Sequence, residues 1–126
     1  MTSRFLAPVL LAAALALSAC GGGSGSSADT IPADADVTVR AIEGLKWDQE
    51  EYTATAGDVL IAAVNESSMP HNLYIVDSTG TRLPQFLDIP TRGKVQTETV
   101  KLAPGTYTLI CTVPGHSNMK ATLTVT

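Results

Sequence analysis

The chain predicts an all-β protein, a Greek-key antiparallel β-sandwich of about seven to eight strands. Three observations predict it. Short apolar or alternating runs recur from about residue 36 to the end. Turn-forming clusters such as Ala56-Gly57-Asp58, Pro104-Gly105 and Pro114-Gly115 divide them. No stretch shows the periodicity of a helix of ordinary length, and no internal repeat is present. Residues 36–126, roughly ninety, are enough for one core and too few for two.

The elements follow in chain order. Val37-Thr-Val39-Arg-Ala41 alternates apolar and polar, the pattern of a half-buried strand. Tyr52 to Thr55 is a second, short strand ended by the Ala56-Gly57-Asp58 turn. Val59 to Val64 is a continuous apolar run with β-branched residues, best read as a buried strand. His71 to Val76 alternates, with His71, Leu73 and Ile75 on one face and Asn72, Tyr74 and Val76 on the other. Lys94 to Leu102, Thr106 to Cys111 and Lys120 to Thr126 complete the set. Thr79 to Gly93 contains Pro84 and Pro90 and reads as a long loop, with room for one helical turn around Leu83 to Leu87.

Residues 1–19 read as an export signal peptide. Arg4 supplies a positive start, and the apolar run Phe5 to Leu17 is too short for a permanent membrane span. It ends in Leu17-Ser18-Ala19-Cys20, which resembles the bacterial lipobox, and that resemblance implies cleavage before Cys20 and lipid attachment to it. An ordinary signal peptide with an incidental cysteine is the alternative. Residues 20–35 are mostly Gly, Ser, Ala and Asp and are expected to be a flexible tether, with the folded domain at 36–126. Such a tether has a root-mean-square span of roughly 20 Å and a full reach of about 50 Å.

The chain has two cysteines. An even count in an exported protein ordinarily suggests a disulfide. A Cys20–Cys111 bridge, however, would join a floppy tail to the centre of the domain, so Cys111 is expected to be unpaired. The net charge is −4 at pH 7, one unit more negative once Arg4 is removed. No basic patch stands out, which argues against nucleic acid. A mild negative charge suits solubility, and also steering toward a basic partner.

The chemistry concentrates in Cys111-Thr-Val-Pro-Gly-His116-Ser-Asn-Met119, with His71 on a separate strand. Taken singly these residues say little. A lone buried cysteine is usually a small hydrophobe, a histidine after Pro-Gly is usually a surface residue, and a lone methionine is usually core. Together, on the loop joining the last two strands, they are specific, because no packing need requires Cys, His and Met at one point. Two imidazoles and a thiolate in a trigonal set, with a weak thioether on the axis, are the donors of a blue-copper electron-transfer site. Both histidines of the chain fall in this set.

Three segments carry a family resemblance: Asn65-Glu-Ser-Ser-Met-Pro-His71-Asn72, Ala103-Pro-Gly-Thr-Tyr107-Thr-Leu-Ile-Cys111, and the loop from Cys111 through Met119 into Lys-Ala-Thr-Leu-Thr-Val. The domain resembles the cupredoxins, in the plastocyanin/amicyanin-like group of type 1 copper proteins. The resemblance implies one copper ion, held by His71, Cys111 and His116 as equatorial ligands and Met119 as axial ligand. It implies that Asn72 ties the two ligand segments together. The loop departs from the commonest members in its spacing, with four residues between Cys111 and His116 and two between His116 and Met119. Pro114 lacks a backbone N–H and is expected to limit the hydrogen bonds that the Cys111 sulfur receives.

The expected function is electron transfer outside the cytoplasm, with copper cycling between Cu(I) and Cu(II) on a domain tethered to the membrane through Cys20. Redox proteins of the cytochrome or oxidase kind are the partners the family implies. Met69, Pro70, Pro114 and Gly115 are expected to form an uncharged docking patch around His116, with Leu83, Pro84 or Phe86 as further contributors. Copper delivery within the cell envelope is the alternative. An enzyme is not expected: multicopper enzymes need additional histidines, and this chain has two. Zinc is disfavoured because a thioether is a poor fourth ligand for it. A metal-free structural sandwich is the remaining reading.

Overall fold

The computed structural model describes residues 29–126. The expected signal peptide, Cys20 and the first part of the expected tether lie outside the described residues. Among the described residues nine strands form: β1 (Val37–Ile42), β2 (Lys46–Trp47), β3 (Glu51–Ala54), β4 (Gly57–Asn65), β5 (His71–Val76), β6 (Arg82–Ile89), β7 (Val95–Leu102), β8 (Gly105–Ile110) and β9 (Lys120–Val125). They make two facing sheets, one ordered β2-β1-β4-β7 and the other β3-β9-β8-β5-β6. The all-β sandwich is as the sequence predicts. Among the described residues no helix is long and apolar enough to cross a membrane.

Three details differ from the sequence expectation. The sheets are mixed rather than wholly antiparallel: β1 pairs parallel with β4, and β3 pairs parallel with β9. Thr79 to Gly93 is not a loop, because β6 occupies Arg82 to Ile89 as the edge strand beside β5. Pro84 is tolerated there for two reasons. An edge strand has one side free of ladder hydrogen bonds, and the register jumps from Tyr74↔Phe86 to Val76↔Arg82, so Pro84 falls in the bulged stretch. The dipeptide strand β2 adds a short edge beside β1.

The core lies between the sheets and follows the two-residue period. In β1 and β5 buried and half-buried residues alternate strictly. Val39, Val59, Ile61, Leu73, Ile75, Leu87, Ile89, Leu109 and Leu123 are fully enclosed. Each such side chain contributes about 1.5–3 kcal/mol by leaving water. At the amino-terminal end, Asp29 pairs with Lys94 at 2.9 Å and accepts a hydrogen bond from Val95 N at 3.1 Å. The chain therefore touches the domain upstream of residue 36.

Candidate metal centre

The site forms where β5 begins and β8 ends. Antiparallel pairing of Tyr74 with Ile110 and Ile75 with Leu109 sets the start of β5 alongside the end of β8. His71 and Cys111 both continue the inward alternation of their strands, and both are buried. After Cys111 the chain doubles back: His116 N donates to Val113 O at 3.0 Å, Met119 N to His116 O at 2.9 Å, and Cys111 N to Met119 O at 3.2 Å. Gly115 makes this turn at φ +87°, a conformation that costs a side-chain-bearing residue energy. The loop thereby folds His116 inward, leaving it only 3% exposed.

Three donor atoms converge. Cys111 Sγ lies 3.6 Å from His116 Nδ1 and 4.0 Å from His71 Nδ1, and the two Nδ1 atoms are 3.2 Å apart. All three groups are buried, and their ligand atoms lie within 4.8 Å of one another. Met119 is fully enclosed in the same core cluster as Cys111. The structure thus brings together the three nitrogen and sulfur donors singled out in the sequence, with the methionine beside them in the core. Cys111 is unpaired among the described residues.

The surrounding hydrogen bonds hold these groups in place. Asn72 Oδ1 accepts from Thr112 N at 2.7 Å and from Thr112 Oγ1 at 3.1 Å, linking the His71 segment to the Cys111 segment. His71 Nε2 lies 2.6 Å from Ser67 Oγ, inside the protein. A metal held on Nδ1 would put the ring proton on Nε2, from which the imidazole would donate to the hydroxyl. Ser67 Oγ passes its own proton toward Asn65 Oδ1 or Met69 O, at 3.1 and 3.2 Å. Burial, and then the neighbouring His116 ring, hold the His71 imidazolium below the ordinary histidine range, with Glu43 acting in the opposite sense. His71 is therefore neutral near pH 7, its Nδ1 lone pair free for a metal.

Sequence reasoning missed Ser67 and Asn65 as site residues. Both stand in the Asn65-to-Asn72 segment, but only the fold shows them to be buried at 1% and 0% exposure beneath His71. Trp47 was missed too; its ring centroid lies 6.5 Å from that of His71. Met69, Pro70, Pro114 and Gly115 are exposed. Phe86 instead stands on the outer face of β6, stacked on Tyr74.

Comparisons with known proteins agree with this geometry. The family model described as copper binding proteins of the plastocyanin/azurin family matches residues 33–126. No curated protein matches the chain. A dithionite-reduced auracyanin from the photosynthetic bacterium Roseiflexus castenholzii is similar, with 25% identity, a TM-score of 0.64, and coverage of 75% of this chain and 99% of that one. An azurin from Methylomonas sp. strain J shares the fold at 17% identity and a TM-score of 0.61, covering 71% of this chain and 95% of that one. A purple cupredoxin from Nitrosopumilus maritimus shares it at 18% identity and a TM-score of 0.57, with 72% and 100% covered.

Proposed function

The chain belongs to the plastocyanin/azurin family of copper-binding proteins, and from that premise we propose that it is a single-copper electron carrier working outside the cytoplasm. Its cofactor is one type 1 copper ion. In this reading His71 Nδ1, Cys111 Sγ and His116 Nδ1 would hold the ion, with Met119 as the weaker fourth ligand. The observation that carries it is the convergence of those three buried donor atoms within 4.8 Å. Their chemistry fits copper: thiolate sulfur is soft and favours Cu(I), whereas imidazole suits Cu(II). Bound copper supplies a one-electron couple.

The chain's own residues supply the rest. Ser67 and Asn72 fix the orientations of His71 and of the Cys111 segment before any metal arrives, so little rearrangement is needed when the charge at the site changes. Burial excludes water. Pro114 withholds a donor from the region of the sulfur. The exposed, uncharged Met69, Pro70, Pro114 and Gly115 suit brief docking of a redox protein. Lipid attachment at Cys20 and a tether through residue 35 would keep the domain near a membrane, among partners of the cytochrome or oxidase kind. Both histidines of the chain belong to this one cluster, which supports a carrier rather than a multicopper enzyme. Copper delivery is the weaker reading, because it calls for an accessible donor cluster and Met69 is the one exposed sulfur among the described residues.

Addition of Cu(II) to the protein tests the proposal. An intense blue thiolate-to-copper absorption band is expected, lost in Cys111→Ser while the β-sheet circular dichroism persists. A folded, copper-loaded protein without that band would refute the ligand assignment.

A further inference from the structure

We propose that Glu43, in the turn between β1 and β2, is a positioning residue for the metal centre: its carboxylate clamps the loop between β4 and β5 so that Ser67 meets His71. The inference deepens the copper-carrier reading and rests on it for its purpose. The clamp itself stands on hydrogen bonds and backbone geometry that involve no metal.

Residues 66–70 run between two strands and belong to neither, so their amides need partners of their own. Glu66 N donates to Ala41 O at 2.8 Å. Ser67 N donates to Asn65 Oδ1 at 2.8 Å and Met69 N to Ser67 Oγ at 3.2 Å, so both are met from within the segment itself. Pro70 has no N–H. Ser68 N is different, because it donates at 2.9 Å to Glu43 Oε1, a side chain 25 residues away in the chain. Ser68 Oγ donates to the other carboxylate oxygen, Oε2, at 3.2 Å. One carboxylate therefore grips one residue at its backbone and at its side chain. The peptide joining Ser67 to Ser68 is planar, so fixing the Ser68 N–H fixes the plane in which Ser67 ends. Ser67 is buried, and its hydroxyl lies 2.6 Å from His71 Nε2. Glu43 thus acts on the ring through Ser67.

The carboxylate is itself held. Arg92, in the turn between β6 and β7, donates from Nη2 to Glu43 Oε1. That turn also carries Gly93, whose N–H donates to Asn65 O at 2.7 Å, and Lys94, whose carbonyl accepts from Asn65 N at 3.0 Å. Segments far apart in the chain therefore meet at this carboxylate. The turn that holds Glu43 is adopted at a cost: Leu45 has φ +55°, the one non-glycine residue at positive φ among the described residues. Strain of that kind persists where surrounding contacts over-determine the backbone, and the bonds of Glu43 to Ser68 and Arg92 supply such contacts. Glu43 and Arg92 are both more than half exposed, so as an ion pair they add little stability. What they supply is the orientation of the loop.

The test compares Glu43→Ala with Glu43→Gln in the 15N-labelled protein, metal-free and loaded with copper. Glutamine keeps an oxygen for Ser68 N, and its amide can donate to Ser68 Oγ, so it preserves the clamp and removes the charge. Alanine is expected to speed amide hydrogen exchange at residues 67–69, to shift the blue band, and to weaken copper binding roughly tenfold in competition with a chelator. Glutamine should restore all three. Asp58→Ala, which breaks another exposed pair, with Lys101, should change none of them. Wild-type exchange and affinity in Glu43→Ala would overturn the proposal. Glutamine failing as badly as alanine would overturn it too, because charge rather than position would then be at work. If Glu43→Ala loses its β-sheet circular dichroism, Ser68→Ala, which removes the hydroxyl's bond alone, takes its place; a several-fold loss of affinity is expected, and wild-type affinity would refute the clamp. The wild-type blue band reports the carrier reading and exchange in the metal-free protein reports the clamp, so the two fail separately.

Discussion

Replacing Asn65 by alanine tests the buried polar support beneath His71. The side chain is fully enclosed. Its Nδ2 donates to Met69 O at 2.7 Å and Ile89 O at 2.8 Å, and its Oδ1 accepts from Ser67 N at 2.8 Å and Ser67 Oγ at 3.1 Å. Alanine removes all four bonds. Met69 O keeps the Ser67 hydroxyl at 3.2 Å, whereas Ile89 O and Ser67 N lose this partner inside the protein. Each such loss costs about 1–3 kcal/mol, and the vacated volume adds to it, so about 3–5 kcal/mol is expected. That is a large part of the 5–15 kcal/mol that typically holds a domain together. Urea unfolding of the metal-free protein, followed by the fluorescence of Trp47, should show the midpoint falling by about 2–3 M. Asn65→Asp keeps the acceptor but loses both donations and buries a charge, so it should cost at least as much. A loss below about 1 kcal/mol in the alanine variant would refute this account of the loop.

Two further substitutions probe the polar groups flanking the core. Ser67→Ala removes the acceptor for His71 Nε2; copper affinity, read by competition with a chelator, should fall about 10–100-fold while the blue band persists. A variant with wild-type affinity would show that the loop backbone alone orients the ring. Tyr52 is buried, and its hydroxyl donates to Asp48 Oδ1 at 2.6 Å. Burial first, then that carboxylate, push its ionisation well above the usual tyrosine range. The unfolded chain ionises first, near pH 10, so this contribution is full below pH 10 and drains away as pH rises beyond it. Tyr52→Phe should flatten the alkaline decline in stability measured by urea unfolding; an unchanged slope would dismiss the argument.

Much of the fold was legible because burial imposes a two-residue period on a strand. His71 to Val76 alternates in the sequence and alternates in burial, and Val59 to Val64 reads as enclosed and mostly is so. The sequence misled at Thr79 to Gly93, where two prolines suggest a loop. Proline forbids a central strand but not a bulged edge, and which strand forms the edge is a property of the whole sheet. Pairing direction was hidden for a similar reason. Nothing local to Val37–Ile42 says that its neighbour will be β4 in parallel, since that depends on how the segments between them cross the sandwich.

The site divides along the same line. The sequence by itself determined the donor set, because Cys111, His116 and Met119 share one short loop and His71 is the chain's other histidine. Covalent proximity limits where those three can go. Tertiary structure alone decided that His71 meets them, through the β5·β8 register, and that Ser67 and Asn65 lie buried beneath it. It also decided where charge is left over. Composition gives a net negative protein that suits a basic partner, yet ion pairing between segments distant in the chain consumes four cations and leaves Arg82 and Lys120 lining one groove. A sum over residues fixes total charge, whereas the field a partner meets depends on which charges the fold sets side by side.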